Sequence, residues 1–351
     1  MALELTKQVE AVLAAERYYA EFEQRMSNYG AFNAYLTNAN ALLPAGSVES
    51  IKNAQNVRAL SFPVFTKQAL SVITSNVCTF TGVEATSAKP QFSFITRGFA
   101  IKTFPKVAAN NMLSDESQQF AAGLVNGLRS VAANLDSYAV TQLEANKHTG
   151  LAAATGIAGA SIAANAYQIA LANRNDTYAY IPTLLELNDM NTGSINNVMS
   201  TTGKILMAQY ETNGVNNAQN LAGLLNGQLP SASGYRHFAS NRISNGVGVA
   251  ETHYLTPFGG IGVFTFVDSD ARAGITNGVG GKSIYTLTDP VFGIEWAVTA
   301  EPICEDLSAT YGAGYEACNG TQYKFIANFG FMNAYSSDTS KPIVKLEVMS
   351  A

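Results

Sequence analysis

The chain has 351 residues, 47% of them hydrophobic, and carries a formal net charge of −5. That length buries a substantial core and allows two or three lobes, and hydrophobicity at low net charge excludes a disordered chain. Only 13% of the residues are charged, against about 25% in an average soluble protein, and no basic run supplies the footprint of direct phosphate-backbone binding.

In chain order, "MALELTKQVEAVLAAERYYAEFEQRM" predicts an amphipathic helix with Val9, Val12, Leu13, Tyr19, Phe22 and Met26 on one side. Glu4, Lys7 and Glu10 stand where a signal peptide needs an apolar core, so a cytosolic site of synthesis is expected. The Gly/Asn/Pro-punctuated stretch from residue 27 to 56 predicts an extended arm with at most one helical turn. Pro63 marks "ALSFPVF" as an edge strand or loop. "LSVITSNVCTFTGVEA" and "QFSFITRGFAIKTF" alternate like strands, and joined through "GVEATSAKP" they predict a long hairpin. Gly98 sits where the aromatic alternation slips, which predicts a bulge.

One unbroken helix is expected from Ser114 to Lys147. Ser114 would be the N-cap, Asp115 and Glu116 would complement the dipole, and Gly150 would be the stop. Its apolar stripe runs through Phe120, Leu124, Leu128, Val131, Leu135 and Tyr138, widened by Val125, Ala132, Ala139 and Leu143. The heptad row 113/120/127/134/141 reads Leu, Phe, Gly, Asn, Thr, so a coiled-coil seam fails. Gly123 and Gly127 each cost about 1 kcal/mol relative to Ala in a helix, which predicts close packing against a sheet or other helices.

Beyond it, short helices and strands alternate, with Pro182 expected at the first turn of "PTLLELNDM". "GKILMAQYE" and "NAQNLAGLLNG" predict helices, while "NNVMS", "YRHFASNRI", "GIGVFTFVD" and "SIYTLT" predict strands. The final segment from Gly320 predicts two strands around a polar turn. The uncharged run Thr149–Asn173 is mostly Ala, Gly, Ser and Thr, too weakly apolar to insert in a membrane.

Catalytic constellations are thin. His148, His237 and His253 lack a second ligand at metal-binding spacing. Cys78, Cys304 and Cys318 are too few and too scattered for a disulfide framework or a zinc site, and free buried thiols are expected. No GxSxG elbow is present. Gly281-Lys282-Ser283 looks like the end of a phosphate-binding loop, but Thr276 occupies the position of its first glycine. Asp268, Asp270 and Glu295 are scattered acids rather than a paired-carboxylate site. No catalytic, cofactor-binding or metal-binding residue is assigned, and no cofactor is expected.

The order of parts is more informative: N-terminal arm, long hairpin, long helix ending near a glycine, mixed lobe, closing strands. It resembles the major capsid protein of tailed bacteriophages, the Hong Kong ninety-seven fold shared with encapsulins and herpesvirus shells. "LDSYAVTQLEANKHTG" resembles the end of that family's spine helix, "FASNRI" a strand of its axial lobe, and "KPIVKLEV" its closing strand. The resemblance covers essentially the whole chain and implies an α+β fold with the following divisions. Residues 1–56 would form an N-terminal helix and arm, 57–112 an extended hairpin loop, and 113–150 the spine helix of a peripheral domain. Residues 151–303 would form an axial domain, and 304–351 a return to the peripheral domain.

The resemblance further implies a non-enzymatic subunit that tiles as pentamers and hexamers into an icosahedral virion shell around double-stranded DNA, without sequence-specific binding and without a membrane. Assembly would take place in the bacterial cytoplasm, with scaffold, portal and decoration proteins as further partners. The hairpin Val57–Phe104 would lie over one neighbour, and the arm Ser27–Asn56 would clasp another. About 56 residues precede the first strand, so a fused scaffolding segment of domain length is not expected. One branch of the family joins a hairpin Lys to a neighbour's Asn. Lys67, Lys89 and Lys102, with Asn319, Asn328 and Asn333, lie in the corresponding regions. Two other readings stay open: another self-assembling protein (an encapsulin-type compartment, a tail component or a surface layer) and a soluble α/β enzyme with an unmarked site.

Overall fold

The computed structural model describes residues 29–37, 42, 59–61, 64–65, 87–88, 91–110, 116–190, 193–205, 235–274, 281–334 and 341–350. The expected N-terminal helix, the hairpin tip and the helices over 206–227 lie outside the described residues, as do Cys78, Lys67 and Lys89.

Two six-stranded sheets organise the α+β fold. The first is built around β13 (Cys318–Asn333), whose 16 residues reach about 50 Å. β4 (Gln91–Thr103) pairs antiparallel along one edge of β13. Its other edge is shared end to end by β12 (Glu295–Glu305) and β10 (Ile261–Phe266). β11 (Ser283–Thr288) extends the sheet beyond β12, and β1 (Ala59–Ser61) extends it beyond β4. Past Pro63 the chain resumes as β2 (Val64–Phe65) against β3 (Ser87–Ala88), the described base of the hairpin. Within "ALSFPVF" the described residues are therefore strand, with β1 at the edge of the first sheet, and the expected strand "LSVITSNVCTFTGVEA" lies outside the described residues.

No bulge forms at Gly98. The β4–β13 ladder runs unbroken through Gly98↔Ile326. The alternation slips because β4 changes its covered face, with Phe94 packing edge-on against Phe264 and Phe266 and Phe99 and Ile101 facing the opposite way, into the main core.

The long helix follows α1 (Gly30–Thr37) and α2 (Pro105–Asn110) as α3 (Glu116–Ala145), with 30 residues and a length of about 45 Å. Every aliphatic residue of the expected stripe is buried, and Phe120 and Tyr138 are partly buried at its margins. Its N-terminal turns are tied to the end of β4. Thr103 Oγ1 donates to Glu116 Oε1 (2.7 Å), and the Phe104 N–H donates to Gln119 Oε1 (3.0 Å).

The second sheet has the order β5 (Ala160–Ala163), β6 (Ala166–Ile169), β14 (Val344–Met349), β9 (Val249–Pro257), β7 (Ile195–Ser200), β8 (Tyr235–Ser240). β14–β6 and β7–β8 are parallel, and the remaining pairs are antiparallel. One face carries Val198, Phe238 and Tyr254 into the core shared with α1 and α3. The other carries Ile195, Met199, Leu255, Val344, Leu346 and Val348 against α4 (Thr177–Glu186), which follows a 3-10 turn over Leu171–Asp176.

Further expectations change. α4 starts at Thr177, so Pro182 lies inside it rather than at its first turn. The hydrogen bond that Pro182 cannot give to Tyr178 O is supplied by Tyr235 Oη, at 2.9 Å. Residues 29–37 are not a free arm. They form α1, and its Ala31, Phe32, Ala34 and Tyr35 are fully buried between α3 and both sheets. The closing strands do not pair with each other, because β13 belongs to the first sheet and β14 is central in the second. β10, β11 and the start of β12 also join the first sheet, so the expected division at 303/304 does not coincide with sheet membership.

Candidate functional site

α3 is where the chain's architecture is set, and its two halves do different work. In the N-terminal half, missing side chains let the sheet in. A Cβ on Gly123 would stand 2.5 Å from Ile101 Cγ2, and one on Gly127 would stand 2.1 Å from Phe99 Cδ2. The Phe99 ring is held in place, stacked on Phe325 at 4.5 Å and edge-on to Trp296 at 5.5 Å.

The C-terminal half carries two carboxylates into the junction between sheets. Asp136, fully buried, accepts from the Phe32 N–H at the start of α1 (2.9 Å) and from Ser240 Oγ (2.5 Å). The Arg242 guanidinium stands 3.7 Å away and also lies over the Tyr29 ring. Burial pushes the Asp136 carboxyl up, against these hydrogen bonds and the Arg242 charge. The approach is close enough that only glycine fits at residue 30, where a Cβ would meet Ala239 O at 2.3 Å. About two turns along, Glu144 accepts from Lys147 Nζ (2.6 Å) and Tyr254 Oη (2.6 Å), and Lys345 Nζ lies 3.2 Å away. Burial opposes its charge, but these donors and cations together hold Glu144 at about 2. The helix end is then fastened to the start of β14, where the His148 N–H donates to Ile343 O (2.6 Å) and the Lys341 N–H donates to His148 Nδ1 (3.1 Å).

The stretches "LDSYAVTQLEANKHTG", "FASNRI" and "KPIVKLEV" therefore meet in space. Asp136 binds Ser240, Glu144 pairs with Lys345, and His148 holds Lys341 and Ile343. Asp136 was not singled out from sequence, although an acid between Leu135 and Ala139 on a buried stripe is a readable anomaly.

Other sequence-flagged residues are placed as follows. Lys282 pairs with Glu301 at 2.8 Å across neighbouring strands. Asp268 accepts from Asn328 Nδ2 at 3.2 Å, and Glu295 opens β12 opposite Thr288. Cys304 is exposed and Cys318 buried, both as free thiols. Lys102 forms an ion pair with Glu305. Asn333 accepts from Tyr35 Oη at 2.9 Å, and Asn319 lies opposite Cys304. Among the described residues no group of three His, Cys, Asp or Glu could hold a metal ion, and no helix is long and apolar enough to cross a membrane.

The structure does bring His237 and His253 together. Asn197 lies between them, its Nδ2 3.3 Å from His237 Nδ1 and its Oδ1 3.2 Å from His253 Nδ1. Glu251 shares their sheet face and binds Arg174, whose Nε donates at 3.1 Å. Sequence reading missed Glu251, although its spacing of two from His253 on one strand places both on one face.

No protein-family model matches the chain, and no curated protein is similar to it. Among solved structures, the chain is similar to one described as the Cyanophage Pam1 capsid asymmetric unit, at 12% identity, over 86% of this chain and 87% of that one, with a TM-score of 0.47. It is similar to the capsid of Ralstonia phage GP4 at 8% identity, over 85% of this chain and 84% of that one, with a TM-score of 0.47. A structure from Mycobacterium phage Che8 is similar at 10% identity, over 88% of this chain and 89% of that one, with a TM-score of 0.46.

Proposed function

We propose that this chain is the repeating, non-enzymatic subunit of a virion shell of the Hong Kong ninety-seven type, assembling as pentamers and hexamers around double-stranded DNA. One observation carries the reading. α3 and β13, both near 50 Å, lie in one two-layer brace, and the hairpin base leaves from the edge of the same sheet. A subunit built to span distance in a lattice needs such a stiff element, with a protruding hairpin that gains its burial from a neighbour. The low charge, 13% of residues, suits surfaces covered by other copies, and a net charge of −5 keeps the chain from gripping DNA. Residues 57–112 act as the extended hairpin, α3 as the spine, and the α4-covered sheet as the axial lobe. Scaffold, portal and decoration proteins are the expected partners, and assembly takes place in the host cytoplasm.

Electron microscopy of the purified chain, alone and with a co-expressed scaffold, tests the proposal. Uniform closed shells support it, and a persistent monomer or small oligomer under all conditions overturns it. Shells that enclose protein cargo and no nucleic acid in infected cells would select an encapsulin-type compartment instead.

A further inference from the structure

Beneath α4 the second sheet holds a polar island inside an apolar core. His253 is fully buried and Glu251 is 1% exposed, and their facing atoms, Nε2 and Oε2, stand 3.8 Å apart. Neither atom has a hydrogen-bond partner among the described residues. Unpaired buried acceptors are costly, and the cause lies on the other side of the ring. His253 Nδ1 lies 3.2 Å from Asn197 Oδ1, which can only accept, so Nδ1 carries the hydrogen and Nε2 is a bare acceptor aimed at a carboxylate. Asn197 Nδ2 in turn donates to His237 Nδ1.

We propose that Glu251, His253, Asn197 and His237 form a proton-operated switch, in which a proton taken up at His237 reverses every hydrogen bond of the row and is felt at the buried Glu251–Arg174 pair. Each step balances. A solvent proton bonds to His237 Nδ1, which becomes a donor facing the Asn197 amide donor. The Asn197 amide turns over, so that Oδ1 accepts from His237 and Nδ2 donates to His253 Nδ1. His253 releases its Nδ1 hydrogen to solvent and takes one from solvent on Nε2 as the site opens transiently, with no net gain, and the two side chains close their 3.8 Å gap so that Nε2–H donates to Glu251 Oε2. The first arrangement leaves two orphaned acceptors and no new charge. The second satisfies both at the cost of a charge on the partly buried His237 ring, which is the balance a two-state element needs.

Among the described residues the groups around His237 are few. Tyr178 of α4 and Tyr235 of β8 stand edge-on or tilted at 5.6 and 5.8 Å, and Tyr178 Oη also accepts from Asn197 Nδ2 at 3.4 Å, a bond in which the hydroxyl becomes the donor when the amide turns over. β9 contributes His253 and Glu251, and the 3-10 turn contributes Arg174. Tyr167 of β6 is engaged by Ala152 O and Asn188. β14 presents Val344, Leu346 and Val348. Above His253, Gly203 stands 3.1 Å from Cε1 at the Cβ position, in a turn whose one charged residue is Lys204. Burial, then the nearby His253, holds His237 at about 4, so the switch operates in mild acid.

The chain has three histidines, so nitrogen-15 NMR of histidine-labelled full-length protein reads every ring, with His148 as an internal control. On the proposal, folded-state His253 moves from the Nδ1–H to the Nε2–H tautomer with the same midpoint as the His237 titration. His237→Gln abolishes that movement. A His253 tautomer that stays fixed while His237 titrates overturns the proposal. So does loss of the folded signals before any change, or a movement that persists in His237→Gln. Should the variant fail to fold, the wild-type titration alone decides.

Discussion

Gly127 of α3 lies against the ring of Phe99 in β4, so closely that a Cβ on residue 127 would stand 2.1 Å from Phe99 Cδ2. Gly127→Ala should therefore destabilise the fold, even though Ala gains about 1 kcal/mol in helix propensity. Phe99 cannot swing away, because it is stacked on Phe325 and edge-on to Trp296. An overpacking loss of about 1–3 kcal/mol is expected, read as a lower urea midpoint for the purified chain. A midpoint equal to or above wild type would show that the helix does not seat on the sheet this tightly.

Much of this was legible in advance for a physical reason. A helix of 30 residues writes its buried face into the sequence at regular spacing, so Leu124 through Leu143 could be read directly. Two glycines on that face already implied a close neighbour, though not that the neighbour was Phe99 and Ile101. What was not legible depends on pairing between distant segments. "GAFNAYLT" has no caps and too few residues to show a period, so its burial as α1 follows from Asp136 and Ala239, 104 or more positions away in the case of the Asp136 bond. The separation of β13 from β14 into different sheets is likewise a matter of partners, which strand alternation does not encode. The polar island was half visible, as histidines in strand-like contexts. Asn197 joined it only through the β7–β8 pairing.

Asp136 separates a need for an acceptor from a need for charge. Burial pushes its carboxyl up, so its ionised form is costly where it stands. Asp136→Asn keeps an oxygen for the Phe32 N–H and should stay within about 1 kcal/mol of wild type. Asp136→Ala leaves that N–H and the Ser240 O–H without their acceptor and should lose about 2–4 kcal/mol. Equal losses in the two variants, by thermal or urea unfolding, would mean that the charge beside Arg242 and not the cap holds α1.

The partly buried His237 gives the fold an acid-side slope. His237 titrates at about 4 in the folded chain against an ordinary 6.5, so between those values the unfolded chain takes up the proton first. Its stabilising contribution is complete above pH 6.5 and falls away as pH drops towards 4. The total is about 3 kcal/mol as an upper figure, from about 1.4 kcal/mol per pH unit. Unfolding free energies of wild type and His237→Gln, measured from neutral to mildly acidic pH, should converge as pH falls. Parallel curves would mean that His237 is not buried neutral.

Glu144 acts in a lower window and with the opposite kind of partner. Hydrogen bonds from Lys147 and Tyr254 and the charge of Lys345 outweigh its burial and hold it at about 2, against an ordinary 4.5. The unfolded chain therefore protonates first as pH falls below 4.5, and the contribution present above that value is lost down to about 2. The side chain is 43% exposed, so solvent screening reduces its worth to about 1 kcal/mol at neutral pH. Glu144→Gln should cost that much, and the cost should shrink in high salt as the Lys345 and Lys147 charges are screened. Because Tyr254 lies on β9 and Lys345 on β14, the same substitution should speed amide exchange in β14 more than in β4. Exchange that rises equally in both strands would mean that Glu144 contributes to general stability and does not fasten the second sheet to the end of α3.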